Sequence, residues 1–224
     1  MIIWITEQEG KHMVIFDLDG TLWDSGDSVG ESWNIVIQRA GYDLTVTADD
    51  LRRNMGKTMN EIADDLFGFL PEEERYALAR RCEVFENAYI TEHGGRLFEG
   101  VRETLKELYD AGVKMSIVSN CQEGYIPAFF KAHGMEEYFD DYEENGRTGL
   151  DKAGNIRLVV ERNHLEHAVY VGDTMGDYTS AAEAGIPFIH AAYGYGEVPE
   201  GTPKITDICQ LPQVIASEAG DKIS

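Results

Sequence analysis

Four short apolar runs, separated by segments of helical spacing, constrain this chain more than any other feature. Met13 to Phe16 is continuous and ends at Asp17. Val113 to Val118 ends at Ser119 and Asn120, Ala168 to Val171 ends at Gly172 and Asp173, and Ile186 to Ile189 follows. Runs that are continuously apolar, not alternating, belong to strands covered on both faces. Between them Val101, Leu105 and Leu108 share a helical face that Gly112 stops, and a helix from about Tyr178 to Ala184 stops at Gly185. A weaker strand is expected near Tyr138 to Tyr142. The alternation predicts an α/β fold: a parallel sheet with helices on both faces. Ligands of such sheets bind at the carboxyl ends of the strands. The polar residues that close three of the runs therefore gather at one edge.

The segment from Gly26 to Leu97 interrupts this pattern, with helical signals and no convincing strand. Trp33, Val36, Ile37 and Ala40 form one face closed by Gly41. Thr47-x-x-Asp50 and Thr58-x-x-Glu61 have the form of capping boxes. Pro71 sits where a first-turn proline belongs, with Leu78, Cys82, Phe85 and Tyr89 at helical spacing after it. The expected organisation is a core of residues 1–25 and 98–224 with an all-helical insert, 26–97. At the start, Met1 to Thr6 and His12 to Phe16 flank a polar stretch; a hairpin and a frayed tail fit it equally.

Composition narrows the function classes. The chain has 41 acidic residues against 19 Lys and Arg, a net charge of −22 over 224 residues. Such an excess argues against nucleic acid and against docking on anionic lipid, both of which need clustered cations. The acidic opening, MIIWITEQEG, lacks the form of a secretory signal, and no stretch approaches a membrane span. The three cysteines, Cys82, Cys121 and Cys209, have no ligand spacing and are expected as buried, reduced thiols of a cytoplasmic protein.

The chemistry concentrates in VIFDLDGTLWDS, residues 14–25. Asp17 and Asp19 stand two apart at a strand end, before Gly20 and Thr21. Alone, Asp-x-Asp-Gly is also an ordinary turn or part of a calcium loop. The other strand ends add to it. Ser119 and Asn120 offer a hydroxyl and an amide to an anion, and VGDTMGD brings Asp173 and Asp177 to the same edge. Four converging carboxylates repel one another unless a divalent cation sits among them, and an oxygen-only donor set points to magnesium. Lys152, the only lysine between Lys131 and Lys204, is placed to neutralise a carboxylate and a bound phosphate.

DLDGT, then Ser119-Asn120, a lysine and GDTMGD, in that order, resemble the four motifs of the haloacid dehalogenase-like superfamily. With a helical insert after the first motif, the chain is similar to its phosphoglycolate phosphatase and beta-phosphoglucomutase branch, from about Met13 to Ile208. The resemblance implies a Rossmann-like core and a magnesium-dependent phosphatase acting on a small phosphate ester. It implies that Asp17 is the nucleophile and forms an aspartyl phosphate, while Asp19 serves as general acid and base. Magnesium would be held by the Asp17 side chain, the Asp19 carbonyl and Asp173, with Asp177 directly or through water. Lys152 would offset charge on the phosphoryl group, Ser119 and the Asn120 backbone would hold its oxygens, and the inserted helices would form a cap.

Where relatives commonly carry Lys-Pro, this chain has Lys152-Ala153. Asp19 favours phosphoryl transfer over dehalogenation, which lacks that second acid. A phosphomutase using the same two aspartates is one alternative, and a non-enzymatic binding protein on this fold is another. In the insert, Arg53 and Lys57 flank Gly56, and at least one of them is expected to face the site. Trp23 and Phe98, where the insert leaves and rejoins the core, are expected to pack.

Overall fold

The computed structural model describes residues 12–218, so the readings made for residues 1–11 lie outside the described residues. The chain enters through β1 (His12–Phe16) and a two-residue β2 (Trp23–Asp24), then passes through four helices: α1 (Gly26–Arg39), α2 (Ala48–Arg52), α3 (Met59–Phe67) and α4 (Glu72–His93). It returns through β3 (Arg96–Leu97) to α5 (Val101–Asp110), β4 (Lys114–Ser119), α6 (Tyr125–His133), β5 (Asp141–Glu144), the single turn α7 (Asn145–Thr148) and α8 (Lys152–Arg162). The last elements are β6 (His167–Gly172), α9 (Met175–Ala184), β7 (Phe188–Ala191), β8 (Lys204–Ile205) and α10 (Leu211–Glu218).

Six strands form one parallel sheet in the order β5-β4-β1-β6-β7-β8. The α/β expectation is borne out, and the alternating face rule explains its core. Val14 and Phe16 point to one face with Leu105 and Leu108 of α5, whereas Met13 and Ile15 point to the other with Ile156, Val159 and Ala181. These four β1 side chains are completely buried, each contributing about 1.5–3 kcal/mol of burial. β1 is flanked by β4 on one side and β6 on the other. The chain ends that follow these three strands therefore lie side by side, at the switch point where such sheets bind ligands.

Several boundaries differ from expectation. The strand expected at Tyr138 to Tyr142 is β5, a few residues later, because Glu136–Tyr138 coils into a 3-10 turn. The fourth run pairs as Phe188–Ala191; Pro187 has no N–H for the ladder, though its carbonyl accepts from Tyr170. α9 starts at Met175, ahead of Tyr178, because Thr174 and Asp177 cap each other there. Pro71 precedes α4 as its N-cap instead of lying in the first turn.

Segment 26–97 is not wholly strandless, since Arg96–Leu97 pairs antiparallel with Trp23–Asp24. Two residues have no periodicity to read; the ladder exists because the chain leaves and returns side by side. Asp24 fastens this junction, accepting from Arg52 of α2 at 3.0 Å and from Arg96 at 3.1 Å. Trp23 is fully buried against Tyr125, Phe129 and His133, and Phe98 packs edge-on against Tyr193, so both do pack. The thiols depart from expectation: all three are free, but only Cys82 is buried, Cys121 is half-buried and Cys209 is exposed.

Among the described residues, no helix is long and apolar enough to cross a membrane.

Candidate active site

Asp17 follows the last residue of β1, and its N–H donates to the Val171 carbonyl of β6 at 2.8 Å. The central strand thus delivers this carboxylate beside the ends of its neighbours. Asp17, Asp173 and Asp177 are buried, and each offers an oxygen within 4.8 Å of the others. Lys152 is buried with them, its Nζ 2.8 Å from Asp17 Oδ1 and 2.5 Å from Asp177 Oδ1. Nζ also lies 5.9 Å from the centre of the Tyr170 ring.

Local sequence explains each placement. Lys152 opens α8, and the Asp151 carboxylate accepts the Gly154 N–H at 2.6 Å, fixing the start of that helix where Ala153 stands in place of proline. Asp177 Oδ2 accepts the Thr174 N–H at 2.9 Å and the Thr174 hydroxyl at 2.7 Å, so its second oxygen is left for Lys152. Asp173 Oδ2 accepts the Tyr195 N–H at 2.7 Å. Glycine is required against it: at Gly20, where φ is +86°, a Cβ would stand 2.3 Å from Asp173 Oδ2.

Burial pushes the Asp17 acid up, and the Asp177 charge adds to this while Lys152 opposes it. Burial also pushes Asp173 up, with Asp177 and Asp17 adding to the shift. For Lys152 burial works the other way, but Asp17 and Asp177 overcome it and hold the ammonium protonated. Three buried carboxylates face one buried ammonium. A hard divalent cation suits that imbalance, and an all-oxygen donor set fits magnesium. Asp17, Asp173 and Asp177 each present an oxygen to such an ion, and of the three Asp177 is the most heavily engaged, by Thr174 and Lys152.

Asp19 stands apart from this cluster. Its Oδ1 accepts from the Ser25 hydroxyl at 2.5 Å and from Tyr125 at 3.0 Å, and the Tyr125 and Ser25 hydroxyl oxygens lie 2.9 Å apart. Burial raises the Asp19 acid to about 6, against the hydroxyl donors that lower it. Ser25 and Tyr125 were not found from sequence. Nothing in their neighbourhoods distinguishes them from packing residues, and 100 positions separate them.

A cleft with about 520 Å³ of empty space opens over Asp17, Asp19, Ser119 and Asn120. The helical segment lines its far side, with Lys57 at the rim and Glu86 inside. Asn120 Nδ2 donates to the Gly56 carbonyl at 2.9 Å, tying the turn after α2 to the end of β4. The Lys57 ammonium pairs with Asp65. Arg53 is not brought to the cleft: it is exposed and held by the Asp49 carbonyl and the Asp50 carboxylate of its own helix.

Comparison with known proteins agrees with this geometry. The family described as haloacid dehalogenase-like hydrolase matches residues 14–191. The chain belongs to that family. A phosphoglycolate phosphatase of Photobacterium profundum is 29% identical over 201 residues, covering 84% of this chain and 86% of the relative. One of Agrobacterium fabrum is 30% identical over 205 residues, with 87% and 86% covered. The crystal structure of a haloacid dehalogenase-like hydrolase from Bacteroides fragilis superposes with a TM-score of 0.77 at 24% identity, covering 91% of this chain and all of that one. With these relatives the chain is a phosphatase of the haloacid dehalogenase-like hydrolases, on the Rossmann-type core that the sequence led us to expect.

Proposed function

We propose that this phosphatase hydrolyses a small phosphate monoester in the cytoplasm through an aspartyl phosphate on Asp17, with magnesium as cofactor. The observation that carries the reading is the buried Lys152 ammonium, 2.8 Å from Asp17, beside Asp173 and below the cleft that Ser119 lines. The three unpaired cysteines accord with a reducing compartment.

Asp17 supplies the carboxylate oxygen that attacks phosphorus, and the bond from phosphorus to the leaving oxygen breaks. Asp19 gives its proton to that leaving oxygen, which departs as the alcohol. In the second half Asp19 takes a proton from water, the water oxygen attacks phosphorus, and the bond to Asp17 breaks, releasing phosphate and restoring both carboxyls. Ser119 and the Asn120 backbone would hold phosphoryl oxygens, and Lys152 offsets charge where most catalysis of this reaction lies. Asp17, Asp173 and the Asp19 carbonyl would hold magnesium, with Asp177 nearby; when bound, the ion supplies further positive charge to the phosphoryl oxygens. Residues 26–97 act as a cap over the core and exclude water from the cleft. An Asp19 acid raised to about 6 suits a group that must both give and take a proton near neutral pH.

The test is phosphate release from a panel of small esters, with magnesium and with chelator, for the wild type and Asp17→Asn. Release that needs magnesium and is lost in the variant supports the reading. Release that persists in Asp17→Asn overturns it, and an isomeric sugar phosphate formed without free phosphate would indicate a mutase.

A further inference from the structure

Glu86 of α4 is buried at 3% exposure in the wall of the cleft that contains Asp17 and Asp19. It has two neutral partners: the Trp33 indole N–H donates to one oxygen, and Gln122 Nε2 donates to the other at 2.9 Å. Trp33 and Glu86 belong to the helical segment, whereas Gln122 follows β4 in the core. Lys57, the cation at the rim, is matched by Asp65. The remaining wall includes Val29, Leu51, Met55, Met59 and Ile62.

We propose that Glu86 reads the leaving group of the substrate, and that this group carries a hydroxyl or amine donor and no second negative charge. The inference rests on the phosphatase reading above and deepens it. A carboxylate whose two oxygens each meet one neutral N–H retains lone pairs for a further donor. Set in a largely apolar wall, with no guanidinium or ammonium paired to it among the described residues, it repels a second anion and leaves a ligand donor well paired. Phosphate itself is provided for where Asp17, Ser119 and Asn120 line the cleft, with the buried Lys152 ammonium behind Asp17. A polyol phosphate or a phosphorylated amino alcohol matches both parts of the cleft. A carboxylate-bearing ester such as phosphoglycolate matches only one. Burial raises the Glu86 acid to about 7, with the Asp19 charge adding to it and the Gln122 and Trp33 donors opposing it, so the group is tested above that value, where it is ionised.

Wild type and Glu86→Gln are compared on glycerol phosphate, ethanolamine phosphate and phosphoglycolate at pH 8 with magnesium, with acetyl phosphate as a substrate too small to need the distal wall. In wild type, kcat/KM for at least one donor-bearing ester exceeds that for phosphoglycolate by about tenfold or more, the scale of rejection expected from a like-charge contact. Glu86→Gln narrows that ratio about tenfold, mainly through a lower KM for phosphoglycolate. Wild type that turns over phosphoglycolate as well as the other two, or turns over neither donor-bearing ester, overturns the proposal. So does an unchanged ratio in a variant whose thermal unfolding shows it folded. Should Glu86→Gln fail to fold, the wild-type ratio decides alone. Loss of the phosphatase reading looks different: acetyl phosphate is then not hydrolysed, or is hydrolysed equally by Asp17→Asn.

Discussion

Replacing Lys152 by Met tests whether a single ammonium makes the acidic centre compatible with folding. Met keeps an unbranched chain of similar reach and removes only the charge and its donors. Asp17 and Asp177 then lose their shared partner, 2.8 and 2.5 Å away, in a site buried with Asp173. Removing one partner of a buried pair costs about 3–5 kcal/mol, because the charge left behind is neither hydrated nor paired. For a chain of this size that lowers Tm by roughly 6–20 °C. The assay is thermal unfolding followed by circular dichroism, in chelator, at pH 8 and pH 5.5. Asp17 and Asp173 have acids raised above their unfolded values, so the folded state retains protons that the unfolded state releases. Stability contributed by these groups is therefore greatest at low pH and is lost as pH rises through their folded values. Chelated wild type should weaken from pH 5.5 to 8, and the deficit of Lys152→Met should be largest at pH 8 and shrink at pH 5.5. Added magnesium should recover part of the loss. A variant within about 1 kcal/mol of wild type at pH 8 would refute the charge accounting, since that is the scale of an ordinary substitution.

Two further predictions concern the cleft. In Tyr125→Phe, loss of the hydroxyl that donates to Asp19 at 3.0 Å removes an influence that lowers the Asp19 acid, so the alkaline limb of the kcat/KM profile moves to higher pH. The rate falls roughly tenfold, the scale of one lost hydrogen bond to a charged group; an unmoved limb refutes the assignment. Lys57→Ala, at the cleft rim, raises KM for the best substrate several-fold, whereas Arg53→Ala, exposed and bound within its own helix, leaves kinetics and stability unchanged. Equal effects from the two would contradict the placement of these side chains.

The core was legible because its strands are buried on both faces. Met13 to Phe16 is apolar at every position since β4 and β6 flank it and helices cover each side, and that demand is visible in the sequence. Elements made by pairing alone were not legible. The Trp23–Asp24 and Arg96–Leu97 ladder depends on where the chain returns after four helices, and two residues cannot announce that. Helix starts were legible where the cap is local. The Thr47 N–H donates to Asp50 at 3.0 Å and that of Thr58 to Glu61 at 2.8 Å, as the spacing predicted. Thr174-x-x-Asp177 follows the same rule, but its aspartates fit metal chemistry equally well in the sequence, and a helix expected from Tyr178 starts three residues later than α9 does.

Candidate site residues are legible in proportion to how unusual they are at a strand end. Aspartates, a serine and an asparagine stand out after continuous apolar runs, so Asp17, Asp19, Ser119, Asn120 and Asp173 could be named from sequence. Glu86 could not, because a helix wraps its signal around a cylinder. The stripe Leu78, Cys82, Phe85, Tyr89 fits the spacing as well as the face that is buried, which runs Leu78, Cys82, Glu86, Ile90. Choosing between the two from sequence means preferring aromatics inside to a carboxylate inside, and the default preference is wrong here for a physical reason. Trp33 and Gln122 bring two N–H donors to that carboxylate from positions 53 and 36 residues away. Their approach is a property of the fold. The same long-range convergence places Tyr125 and Ser25 on Asp19. What the sequence displays is the chemistry anchored to the strands. The Glu86 carboxylate sits instead on a helix, where a polar residue becomes meaningful only opposite its partners Trp33 and Gln122.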